Sequence, residues 1–323
     1  MLNRREFLAT TAAAGVLAAF PFGHALAQDA PQLQLFVPAA PGGGWDQTAR
    51  VMEQVLRAEK LISGAQITNV GGAGGTVGLP QFINQWNGRP NALMVGGMVM
   101  VGAIIANKAA NKLSEVTPIA RLTGEFEALV VPAASPFKTA QDFVAALKAD
   151  PTKVPVAGGS AGGSDHILFG LIAQTVGVPA TNLSYVAFAG GGEALAALLG
   201  NQVAAGISGY GEFAEQIKAG TLRLLAVSSD KRQEGIDAPT MKESGIDVEL
   251  FNWRGVFAPP GVSDADKAAM VALVDKMVAS ASWAEECKNR NWTSIPLTGD
   301  AFATFLAEDT KRIEAILKDL GLA

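Results

Sequence analysis

Short apolar runs alternate along this chain with stretches whose apolar residues recur at helical spacing. Residues 33–37 form one such run. After Pro41-Gly-Gly-Gly44 the pattern changes, and an amphipathic helix is predicted from Trp45. The change recurs three times. Residues 66–70 lead through Gly71-Gly-Ala-Gly-Gly75 into Leu79, Phe82 and Ile83. Residues 154–157 lead through Gly158-Gly-Ser-Ala-Gly-Gly163 into Ile167, Leu168, Leu171 and Ile172. Residues 185–188 lead through Gly190-Gly-Gly192 into a helix to Leu199. Further strands are expected at residues 91–96, 119–132, 203–208 and 222–227, with a long extended segment at 248–258. Thr139-x-x-Asp142 has the form of a capping box ahead of Phe143 and Leu147. A short helix is expected from Ala238 to a stop at Gly245. Two helices are expected to close the chain, one capped at Ser263, the other running from Phe302 to a stop at Gly321.

Strands alternating with helices predict an α/β fold with mostly parallel sheets. Two apolar segments flank the middle third and are candidate crossings between domains. They give 28–130 with 253–323 as one domain and 131–252 as the other.

Each glycine loop lies between the end of a strand and the start of a helix, where open α/β sheets bind ligands. Glycine leaves the first helical amides uncovered, and the helix dipole adds partial positive charge there. Such a place suits a carboxylate or a phosphate. One loop could serve close packing alone; four of the same form point to a shared binding cleft.

The chain has 323 residues, 49% hydrophobic and 17% charged, with a formal charge of −5. That composition suits a globular protein with sizeable cores. Asn3-Arg-Arg-Glu-Phe-Leu8 ahead of an alanine-rich run and Ala25-Leu-Ala27 has the form of a twin-arginine export signal, with cleavage after residue 27. Removing it takes away Arg4, Arg5 and Glu6 and leaves the remainder one unit more acidic. No basic stretch remains, so nucleic acid is not an expected partner. Cys287 is the only cysteine, which excludes an internal disulfide. Nothing has the spacing of a metal site, and no cofactor is expected.

Gly158-x-Ser160-x-Gly162 matches the nucleophile elbow of serine hydrolases and keeps an enzyme using Ser160 as the alternative. That fold needs a histidine well downstream. The one histidine after the export signal, His166, follows Ser160 by six residues. Ala73-x-Gly75-x-x-Gly78 is a dinucleotide fingerprint without its first glycine. Arg50 and Asp46 read as an ion pair and a first-turn acid, and Trp253 as packing between domains.

Pro41-Gly-Gly-Gly-Trp-Asp-Gln-Thr-Ala-Arg50, Asn69-Val-Gly-Gly-Ala-Gly-Gly75, Gly159-Ser-Ala-Gly-Gly-Ser-Asp-His166, Tyr185-Val-Ala-Phe-Ala-Gly-Gly-Gly192 and Lys218-Ala-Gly-Thr-Leu-Arg-Leu-Leu-Ala-Val227 together resemble the substrate-binding proteins of tripartite tricarboxylate transporters, the Bug family. The resemblance implies a monomeric periplasmic clamp of type II-like two-domain form, each domain a mixed, mostly parallel sheet flanked by helices. It implies a small carboxylate ligand, di- or tricarboxylate and citrate-like, passed to one large and one small membrane subunit. The residues it points to are Gly42, Gly43, Gly44, Gly72, Ala73, Gly74, Gly75, Ser160, Gly163, Ser164, His166, Gly190, Gly191 and Gly192, with Ser208 and Tyr210 as further wall.

Overall fold

The computed structural model describes residues 31–188, 190–319 and 321–323; the predicted export signal lies outside them. Strand β1 (Gln32–Val37) lies between β2 (Gly64–Asn69) and β3 (Ala92–Gly97), all parallel. Helix α1 (Gly44–Ala58) links the first two and α2 (Gly78–Gln85) the next. Trp45, Ala49, Met52, Val55 and Leu56 recur on the buried face of α1, as the amphipathic pattern requires. Helix α3 (Met98–Ala106) is apolar on every side and is buried on most of them.

The element that ties the molecule together is β4 (Thr117–Pro132). Its first part, up to Phe126, pairs antiparallel with β9 (Phe251–Ala258) on one edge and β10 (Thr293–Thr298) on the other. From Glu127 onwards it pairs instead with β7 (Ala205–Gly209) and β8 (Leu222–Val227). The second sheet half continues in parallel to β5 (Val156–Gly158) and β6 (Tyr185–Ala187). The strand order is β2-β1-β3-β9-β4-β7-β5-β6. The two ends of the sheet are parallel, the middle antiparallel. The chain returns to the first half beside β4, where the Leu250 amide bonds the Ser228 carbonyl. The partner change on β4 falls between Phe126 and Glu127, a few residues before the boundary read from the sequence. The strand is buried at every position from Leu122 to Pro132, so burial does not change where its partners do.

Helices α4 (Ala140–Ala149), α5 (Ser164–Thr175), α6 (Gly191–Leu199) and α7 (Tyr210–Lys218) belong to the second half. The first half is completed by α8 (Asp264–Val278), α9 (Ala281–Asn289) and α10 (Gly299–Asp319). Three expectations are corrected. The segment after Ala238 is turns rather than a helix. Helix α9 and strand β10 stand between the two closing helices. Only Trp283 and Cys287 of α9 are buried, and β10 carries Pro296 and a register shift, so neither has a strong period. Trp253 packs within one half, edge-on to Phe302 and Phe305 of α10, and its indole N–H donates to Asp309. Among the described residues no helix is long and apolar enough to cross a membrane.

The candidate binding cleft

A cavity of about 390 Å³ opens between the two halves of the sheet. From the first half come residues 38–45, Gly72, Gly74, Gly75, Val99, Asn252 and Arg254; from the second come the starts of α5 and α6 and the end of β7. The first bonds donated along α1, α5 and α6 run from Gln47 to Gly43, from Ile167 to Gly163 and from Ala194 to Gly190. The amides ahead of those donors have no acceptor within their helices. Three helix starts thus direct amides and positive dipole ends at one space.

The structure brings together Gly42, Gly43, Gly44, Gly72, Gly74, Gly75, Ser160, Gly163, Ser164, Gly190, Gly191, Gly192 and Ser208. Ala73, His166 and Tyr210 stand apart from the lining. The His166 ring stacks on Tyr185, centroids 4.1 Å apart, and its Nδ1 accepts from the Gly162 amide. Burial pushes its pKa down to about 4, so the ring is neutral. A neutral ring whose Nδ1 is held by a backbone amide has no bond to the Ser160 hydroxyl and is no base for it. Tyr210 opens α7 and packs on Phe126.

Some of the amides are already used. The Gly42 amide donates to Asp46 at 2.9 Å, and the Gly159 amide to Asp165 at 2.6 Å. Each carboxylate closes its own glycine loop. Burial acts to raise the Asp46 pKa, but bonds from Arg50, Gly42 and Asn69 outweigh it and the net shift is downward. The Arg50 pair expected from the sequence is present at 2.8 Å. Close backbone approach explains one glycine in particular. A Cβ on Gly44 would stand 2.5 Å from Arg254 Nη2, so this guanidinium needs a bare backbone beside it.

Sequence reasoning missed the acids around the cleft. Asp165, Glu193 and Glu212 line it, and Glu125 and Glu127 lie behind them. Arg254 is ion-paired to Glu125, with side chains 5% and 3% exposed, and Glu125 also accepts from the Gly211 amide of α7. Ser208 hydrogen-bonds Glu212. Burial, then repulsion from Asp165, raises Glu127 well above the usual carboxylate range, and neither of its oxygens has a hydrogen-bond partner among the described residues. Burial, then repulsion from Glu125, raises Glu212 to about 7. A visible signal existed for two of these groups: Glu125 and Glu127 are charges inside an otherwise apolar strand run.

A raised carboxyl pKa means the folded protein holds a proton that the unfolded chain has released. The stability that Glu212 contributes in this way is therefore full below the unfolded value of 4.5 and is lost as pH rises through 7. For Glu212 alone the loss is about 3 kcal/mol. Urea unfolding at pH 5 and pH 7.5 checks this: wild type is expected to weaken at the higher pH, and Glu212→Gln to weaken less. Equal pH slopes for the two proteins would contradict the assignment.

The sequence matches the family model described as tripartite tricarboxylate transporter family receptor over residues 48–322. A UPF0065 protein of Cupriavidus necator is 29% identical over all of this chain and 99% of its own length. BugT of Bordetella pertussis is 26% identical over 90% of this chain and 89% of its own. Malate-bound MatC of Rhodopseudomonas palustris has the same fold: TM-score 0.76, 23% identity, 89% of this chain and 99% of that one covered.

Proposed function

Since the chain belongs to the tripartite tricarboxylate transporter receptor family, to which the Bug proteins also belong, we propose that it captures a small organic carboxylate in the cleft and delivers it to a membrane transporter. It is a substrate-binding protein and not an enzyme, as its family is. One observation carries the ligand class: the starts of α1, α5 and α6, from both sheet halves, converge on a cavity of about 390 Å³. That volume suits a small metabolite. Charge-assisted bonds from such amides are worth roughly 1.5–3 kcal/mol each, so three or four reach micromolar affinity, about −8 kcal/mol.

The halves joined through β4 act as two lobes that close on the ligand. The malate held by MatC is in keeping with a dicarboxylate of this size. A citrate-like tricarboxylate was the sequence expectation; the acids lining the cleft weigh against the most highly charged of these ligands. The monomer acts in the periplasm, exported by residues 1–27, and its partners are the large and small membrane subunits of the transporter.

A thermal-shift screen of organic acids tests the reading. At one hundred times Kd a true ligand adds about 2.7 kcal/mol of stability. A flat response to every mono-, di- and tricarboxylate would remove the carboxylate assignment.

A further inference from the structure

We propose that this chain carries a second ligand site, in its first half and on the far side of α3 from the cleft, and that it takes a single-chain amphiphile: an anionic head on an unbranched alkyl chain of medium length. The inference stands apart from the carboxylate reading of the cleft.

The sequence of α3 sets up the site. An amphipathic helix can leave its polar face to water, but α3 is apolar on every side and has no such face. Its Ala103 packs on Gly74 and its Ala106 on Gly162 of the other half. The side turned to α10 is covered only in part. A cavity of about 700 Å³ lies there, nearly twice the volume of the cleft. Among the described residues the two share no lining: Val99 of α3 faces the cleft, while Val101, Ile104 and Ile105 face this cavity. Val101, Ile104, Leu113, Val116 and Leu306 form its walls and are between 3% and 8% exposed. Close-packed interiors leave few holes larger than a water molecule. A concave apolar space of this size with a few polar groups at its edge has the form of a ligand site.

The rim supplies the charge. Lys108, Lys112 and Lys311 stand on it, all exposed. None of the three makes an ion pair among the described residues. The carboxylate among the described lining residues, Glu314, is held by Lys318 at 2.8 Å. Glu115, beside the lining, accepts from the Lys112 amide and from Asn111. Three unspent ammonium groups at one mouth, on a chain of formal charge −5, select an anion. The same geometry speaks against a protein partner. A docking surface presents its apolar side chains outward. Here they are sunk and the rim is charged, and the exposed large hydrophobic residues, Val77 and Leu199, lie elsewhere. A protein would meet the lysines and gain little from the walls, whereas an alkyl chain can thread between α3 and α10 with its head left among the lysines.

Calorimetry on the full mature chain with hexanoate, octanoate, decanoate and dodecanoate, each below its micelle concentration, tests the site. Each buried methylene is worth about a fourfold gain in affinity, so each two-carbon step is expected to tighten binding about tenfold until the cavity is full, after which the gain stops. Decanol has the chain without the charge and is expected to bind about fivefold more weakly than decanoate. Lys112→Gln with Lys311→Gln is expected to narrow that gap and to leave decanol unchanged. Ala307→Trp sets a ring across the mouth from an exposed position on α10. It is expected to lose most of the decanoate affinity while keeping the circular dichroism of wild type. Gly43→Asp, altered only in the cleft, is expected to bind decanoate as wild type does. Affinity that ignores chain length, decanol as tight as decanoate, or loss of decanoate in Gly43→Asp and not in Ala307→Trp overturns the proposal. So does failure of every homologue to bind; co-sedimentation with phosphatidylglycerol vesicles in that case would make the lysine rim a membrane contact instead.

Discussion

Gly43→Asp is expected to abolish carboxylate binding and to leave the protein as stable as before or slightly more so. Gly43 is the residue before the first turn of α1, with φ −73° and ψ 170°, a conformation any residue adopts. A Cβ there would meet nothing nearer than the Ala40 carbonyl at 3.6 Å. The native position has no side-chain cap, and aspartate is among the best caps, worth about 1 kcal/mol. The new carboxylate would accept from the α1 amides that the ligand needs, and would add charge to a cleft already rich in acids. Losing two charge-assisted bonds at roughly 1.5–3 kcal/mol each weakens binding by at least about a hundredfold. Gly43→Ala adds the side-chain carbon without the charge and is expected to bind within about threefold of wild type. Calorimetry together with urea unfolding separates affinity from stability. If Gly43→Asp bound its acid as wild type does, α1 would not be part of the anion cradle.

The second large effect is on stability. Arg254→Met leaves Glu125 buried beside Glu127 and Glu212 without its cation, and breaking one side of a buried pair costs about 3–5 kcal/mol. Arg254 also lies over Trp292, 5.3 Å from the ring centroid, and that packing goes with it. The double variant Glu125→Gln with Arg254→Met removes the stranded charge. Gln keeps an acceptor for the Gly211 amide, so most of the loss is expected to return. Urea unfolding of the two singles and the double measures the coupling. A cost below about 1 kcal/mol for Arg254→Met, or a double variant no better than the single, would show that this pair does not hold the middle of the sheet together.

Much of the architecture was legible because strand, glycine loop and helix were written four times in one order. Residues 33–37 and Pro41-Gly-Gly-Gly44 announced β1, its loop and the start of α1 without ambiguity. The loops that meet in the cleft were legible for the same reason. What escaped notice sits where a pattern is short or continuous. Helix α7 follows β7 with no intervening loop, and only its Phe213 is buried, so no helix was read after the strand at 203–208. With the helix went Glu212. Asn252 and Arg254 were read as part of an extended apolar segment, since a strand places every second side chain on the opposite face and period alone does not say which face meets a cleft. His166 was over-read. Its position in a glycine loop suggested contact with a ligand, but a ring one turn into α5 turns back onto its own loop and onto Tyr185.

One backbone contact bears on how far the jaws can shut. Gly102 in α3 meets the carbonyl of Gly162 from the opposite lobe with no room for even a methyl group between them. In the closure proposed above, these two strips of bare main chain are expected to act as the hard stop. A guest too bulky for that stop to be reached would be held by half of its grips and let go.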